Sequence, residues 1–116
     1  MEWVSHPNWF FRISKYTMPF LQGKFIPPTF FAHEFDAQKE DISQYILKPL
    51  YSFAGAGVKM DVTNEDLERL TNPAHFLLQK KVKYEPLVET LDVPAKFEVR
   101  LMYIWEKNAP RPHLVI

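Results

Sequence analysis

The residues able to do chemistry are few and scattered. His33, Glu34 and Asp36 form the one group that sets an imidazole beside two carboxylates. A hard cation or an acid–base pair needs such groups to converge on one point. In extended chain Glu34 and Asp36 point to one face and His33 to the other, so convergence would require a strand to end there. Asp36 also stands where a helix cap would engage its carboxylate with backbone N–H groups. His6, His75 and His113 lie in three separate Pro-bounded neighbourhoods, where surface or hydrogen-bonded imidazole is the simpler reading.

Nucleophiles fare no better. Ser5, Ser14, Ser43 and Ser52 all lie outside any Gly-x-Ser-x-Gly turn. The chain has no Cys, which excludes disulfides, thiolate zinc, iron–sulfur ligation and a Cys nucleophile, while leaving the redox compartment open. Gly55-Ala56-Gly57 has the look of a phosphate loop, but it follows a helix-like stretch and lacks both a Lys-Ser/Thr pair and a third Gly at the required spacing. Its better reading is the left-handed stop of a helix. No catalytic residue, cofactor-binding residue or metal ligand is assigned, and the expectation is a non-enzymatic protein without cofactor. A small enzyme built on His33 and Glu34 is a distant third reading.

The elements that would position these residues follow from periodicity. Phe30 to Phe35 reads as a short strand entering a helix that Asp36 or Ser43 could cap. In that helix Ile42, Tyr45, Ile46, Leu50 and Phe53 recur at three- and four-residue steps, with a kink or restart at Pro49. Val58–Val62 alternates and predicts a short strand. Thr63 with Asp66 forms a capping box for a second helix carrying Leu67 and Leu70 inward and ending at Asn72-Pro73. His75–Tyr84 is ambiguous, with its second half assigned as strand. Lys96–Lys107 is the clearest strand: Phe97, Val99, Leu101, Tyr103 and Trp105 share one face, and an apolar centre on the other face suggests a central strand or one that meets a partner. The tail from Asn108 is extended and ends in Leu114-Val115-Ile116.

Together these predict an α+β protein with a small, mostly antiparallel sheet and two helices, an extended aromatic N-terminal arm and a Pro-rich C-terminal tail. The divisions are an arm over 1–29, a compact domain over 30–107 and a tail over 108–116. A chain of 116 residues is enough for one such core without staples.

Charge and composition bound the function. Fourteen Lys plus Arg against fourteen Asp plus Glu give zero formal charge, which argues against a protein whose main task is wrapping duplex nucleic acid. Apolar residues at 47% argue against global disorder. No apolar run reaches the ~18 residues of a membrane span, and the N-terminus lacks the apolar core of a secretory signal, so the expected setting is intracellular or within an assembled particle.

The distribution is uneven. Between Trp3 and His33 there is no acidic residue, and the segment is rich in rings yet broken by Pro7, Pro19, Pro27 and Pro28. It is too apolar for water and too Pro-broken for one long helix, so it must dock on something, either its own domain, whose core it would complete, or a partner. Three functional readings follow. Trp9, Ile13, Tyr16 and Phe20 could form a helical stripe on an anionic membrane, although Arg12 and Lys15 are few cations for that. Rings interleaved with Arg and Lys could stack single-stranded bases, with Lys80, Lys81 and Lys83 extending a positive groove. The preferred reading is a protein interface, because exposed Trp, Tyr, Phe and Arg are the types enriched there. The expected function is thus a structural or adaptor subunit of a large multiprotein assembly, of virion or organellar type. Its partners would be other subunits, copies of itself included. Trp3, Trp9, Phe10, Phe11, Arg12, Tyr16 and Phe20 would anchor the arm, and Arg111, His113 and Leu114 the tail.

Overall fold

Leu77 and Leu78 are adjacent in the chain, and neither retains any exposed surface. Successive side chains of a strand point to opposite faces, so this pair belongs to a strand covered on both sides. The computed structural model describes residues 15–106 and 109–115, and in it Phe76–Lys80 is the central strand, β3. Thr29–Phe31 (β1) and Tyr45–Pro49 (β2) flank it in the order β1-β3-β2, both antiparallel to it. The register sets Phe30 and Leu47 opposite Leu78, and Phe31 and Lys48 opposite Leu77. Two apolar clusters result. Leu78, Tyr45, Leu47, Ala32 and Val62 fill one face of the sheet, and Leu77, Phe31 and Leu50 the other.

The protein is a small α+β fold in which this sheet is joined by two helices longer than a single turn. They are a 3-10 helix at Lys15–Phe20 and an α-helix, α1, at Asn64–Glu68. The described chain divides into two units, one ending at Val82 and one beginning at Lys83. In the second unit, Leu101–Glu106 (β4) pairs antiparallel with Ala109–Val115 (β5), and Val88 and Ala95 form an isolated bridge. Among the described residues no helix is long and apolar enough to cross a membrane.

Several elements differ from their expected form. The helix expected between Asp36 and Phe53 is instead a single 3-10 turn, Ile42–Gln44, leading straight into β2. Asp41 rather than Ser43 caps that turn, accepting from the Ser43 N–H at 3.0 Å. The same residues satisfy a period of two: Tyr45 and Leu47 are buried on one face, Ile46 and Lys48 half-buried on the other. Pairing with β3 satisfies a ladder that Pro49 would have broken inside a helix, since Pro has no N–H and here closes the strand opposite Phe76. Asp36 caps a turn and not a helix, its Oδ1 accepting from the Gln38 N–H at 3.0 Å.

With no helix before it, Gly55-Ala56-Gly57 is not a helix stop. It is a tight loop after β2, with φ of 78° at Gly55 and 72° at Gly57. A Cβ at Gly57 would come within 2.8 Å of the Pro49 ring, so glycine is required there twice over. Val58–Val62 forms a single bridge, Lys59 to Leu47, rather than a strand. The third strand takes the first half of His75–Tyr84, not the second, because Leu77 and Leu78 supply the burial that Lys81 to Tyr84 lack. The ladder of β4 starts at Leu101 and not at Lys96, since Leu101 already pairs with Val115, near the end of the described chain. Its single partner among the described residues makes it half of a two-stranded ribbon and not a central strand.

The second helix forms as expected. The Asp66 N–H donates to Thr63 Oγ1 and the Thr63 N–H to Asp66 Oδ2, the two reciprocal bonds of a capping box. It ends at Glu68, before Asn72-Pro73, and Pro73 opens a separate 3-10 turn, Pro73–His75. Lys59 Nζ lies 2.6 Å from Asp66 Oδ1, and this bond, with those from Thr63, holds the Asp66 carboxyl down at about 2.

Two measurements check this frame. Leu78→Ala should cost about 3 kcal/mol, within the range for emptying a buried leucine site, read from the midpoint of denaturant unfolding followed by far-UV circular dichroism. Because the Asp66 pKa is depressed in the folded chain, the stability it contributes is complete above its ordinary value of 3.8 and is lost as pH falls through about 2. The Thr63 amide resonance should therefore shift over that acid window, and Asp66→Asn should abolish the transition.

Candidate functional site

The described end of the arm is tied to the sheet by one ammonium group. Lys15 Nζ donates to the Pro49 carbonyl, the Ser52 carbonyl and Ser52 Oγ, each at 2.8 Å. Three acceptors match the three donors of a lysine. They hold the charge without a carboxylate, while burial lowers its pKa. Lys48 is also shifted down, by burial and then by Lys15, and its Nζ is held by Gln79 Oε1 at 2.6 Å.

Anchored this way, the 3-10 helix lays its rings on one face of the sheet. Tyr16 and Phe20 each meet Phe31, with centroids 5.1 and 5.9 Å apart, and each other at 5.9 Å. Met18 packs into the Phe31, Leu50 and Leu77 cluster. Both rings nevertheless keep much of their surface in solvent, 45% for Tyr16 and 67% for Phe20. The opposite face has its own aromatic trio, in which Phe30 and Phe35 are partly buried and pack against the buried Tyr45. Tyr45 is buried there, its hydroxyl donating to Glu40 Oε2 at 2.7 Å, and burial followed by that carboxylate pushes the phenol up to about 12.

Beyond Phe20 the chain makes a tight turn closed by the Ile26 N–H donating to the Gly23 carbonyl at 3.1 Å. Its two central residues, Lys24 and Phe25, point outward, and Phe25 is 89% exposed with Lys24 Nζ 5.3 Å from its ring centroid. In the second unit Leu87, Val88, Leu91, Val93, Phe97 and Val99 are all exposed, and Leu91 fully so.

The structure places the expected site residues unevenly. Trp3, Trp9, Phe10, Phe11 and Arg12, like His6, lie outside the described residues. Tyr16 and Phe20 are brought together on Phe31. Arg111 is exposed on β5; Leu114 pairs with Met102, and His113 is the extra residue where the register shifts between Met102 and Tyr103. The turn at Lys24 and Phe25 was missed, although Gly23 next to a cation and a ring, ahead of Pro27-Pro28, is the signal that could have found it.

The His33 group does not converge. His33 and Glu34 lie in a 3-10 turn with Nε2 and Oε1 3.7 Å apart, both exposed, while Asp36 pairs with Lys39 at 2.7 Å. Among the described residues no cluster of three or more His, Asp or Glu could hold a metal ion. No protein-family model matches this chain, and neither a curated protein nor a solved structure matches it significantly.

Lys15→Met keeps the aliphatic stem and removes the three donors, leaving half-buried acceptors unpaired. The expected loss is about 2 kcal/mol, typical of hydrogen bonds to a charged group. Hydrogen exchange of the Leu21 amide, which donates to the Met18 carbonyl, should accelerate selectively, while the Leu78 amide stays protected.

Proposed function

We propose that this protein is a non-enzymatic structural or adaptor subunit of a larger multiprotein assembly, of virion or organellar type, that docks through apolar surface its own fold leaves uncovered. One observation supports this reading above the others. From Lys83 to Leu101 every residue except Ala95 is exposed, although the run contains Leu87, Val88, Leu91, Val93, Phe97, Val99 and Leu101. Ordering a residue costs roughly 1–2 kcal/mol of backbone entropy. An apolar side chain offsets this, by about 1.5–3 kcal/mol, only when it is buried. A two-stranded ribbon such as β4–β5 is at best marginal on its own in water. A partner that covers these side chains would supply the missing burial.

The spacing suits a docking strip. Phe97, Val99, Leu101 and Tyr103 stand at alternate positions and each keeps about half its surface in solvent. The neighbouring Thr90 and Val93 brace the loop that carries Leu91, through a hydrogen bond from Thr90 Oγ1 to the Val93 carbonyl at 2.6 Å. Each unit contributes docking residues of its own: Tyr16 and Phe20 of the arm in the first, and Arg111, His113 and Leu114 of the tail in the second.

The test is the mass of the particle the protein occupies. The chain isolated from its native source should sediment in a complex of defined stoichiometry, and expressed alone it should self-associate. The double variant Leu91→Asp, Val99→Asp should stay monomeric and lose its place in the complex, with the exchange protection of Leu77 and Leu78 unchanged. A wild-type chain that is a monodisperse monomer in its native setting, with Leu91, Phe97 and Val99 amides already protected, would overturn the reading.

A further inference from the structure

We propose that the turn at Lys24-Phe25 and the end of β3 at Lys80-Lys81 together form a binding groove for single-stranded nucleic acid, in which a base stacks on Phe25 and phosphates meet the lysines. The two segments are far apart in sequence and are joined by the backbone. The Lys80 N–H donates to the Pro28 carbonyl at 2.8 Å, and Thr29 Oγ1 donates to the Pro27 carbonyl at 3.0 Å from a buried position. These bonds fix the Pro27-Pro28 wall against the strand end. The result is an open groove of about 400 Å3 lined by Lys24, Phe25, Pro27, Pro28, Lys80 and Lys81 among others, with no carboxylate in its walls. A second groove, of about 270 Å3, shares Ile26 and Pro28 with it.

Charge and ring chemistry select the occupant. Among the described residues the Lys80 ammonium has no ion pair or hydrogen bond, and the Lys24 ammonium contacts only the Phe25 ring. Lys81 is partly committed, donating to the Ser43 carbonyl at 2.8 Å with Asp61 Oδ1 at 3.7 Å. One free cation, one resting on the Phe25 ring and one shared suit a few phosphates, too few for a duplex in a chain of zero net charge. Phe25 is 89% exposed and presents a ring face to solvent, which is what base stacking requires and what an acidic peptide would leave unused.

Fluorescence anisotropy with the full chain and a labelled oligothymidylate tests this. Affinity should fall with salt with a log–log slope of roughly −2, at about 0.7 per neutralised phosphate of a single strand. Phe25→Leu, which keeps apolar bulk but removes the π face, should weaken binding about tenfold, as expected for one stacked base. Phe25→Trp should retain affinity. Lys80→Ala should reduce the slope by about 0.7. Phe25 and Lys80 are both exposed, so unfolding should not confuse the result, and exchange protection at Leu78 checks it. Failure to bind the oligonucleotide at low salt, binding that Phe25→Leu leaves unchanged, or binding to phosphatidylserine vesicles but not to the oligonucleotide would each overturn the proposal. None of these outcomes bears on the assembly reading, whose test is particle mass.

Discussion

The fold depends on one strand being dry on both sides. Leu77 and Leu78 are buried back to back, so β3 can exist only if something covers each of its faces and something pairs with each of its edges. β1 and β2 supply the edges. Phe30, Tyr45 and Leu47 cover one face, and Phe31 and Leu50 the other. Nearly every other feature of the first unit follows as a consequence of satisfying that strand, including the conversion of Tyr45–Pro49 from a helical pattern into a paired edge.

The same constraint explains where surface chemistry collects. Lys15 is drawn onto the sheet because the end of β2 offers two carbonyls and a hydroxyl beside it, and its anchoring lets Tyr16, Met18 and Phe20 complete the cover over Phe31. At the other end, β3 runs out of apolar residues at Lys80. Its last N–H is taken by Pro28, and the lysines that follow therefore stand beside the turn bearing Phe25. A packing requirement has thus assembled a ring and three cations that lie in two distant stretches of sequence.

The second unit presents the opposite situation. Among its described residues it has no counterpart of β3, and Leu87, Val88, Leu91, Val93, Phe97, Val99, Leu101 and Tyr103 stay exposed. In the first unit apolar residues specify a core, whereas in the second they specify a surface. That contrast is the observation on which the proposed docking role of the second unit rests.

The sequence by itself determined whatever rests on neighbouring residues. The Thr63–Asp66 capping box, the left-handed glycines at 55 and 57 and the period-two run through Leu101–Glu106 are short-range signals, and each has its counterpart in the structure. The aromatic excess and the α+β class were equally legible. Only the tertiary structure decided between helix and strand for Tyr45–Pro49, because its apolar residues satisfy both periods and the choice belongs to β3, which lies some thirty positions away. It alone could place the strand at Phe76–Lys80, where burial on both faces erases the alternation that identifies a strand. It alone set Lys80 and Phe25 along one groove, since the bond from the Lys80 N–H to the Pro28 carbonyl leaves no periodic trace in either segment.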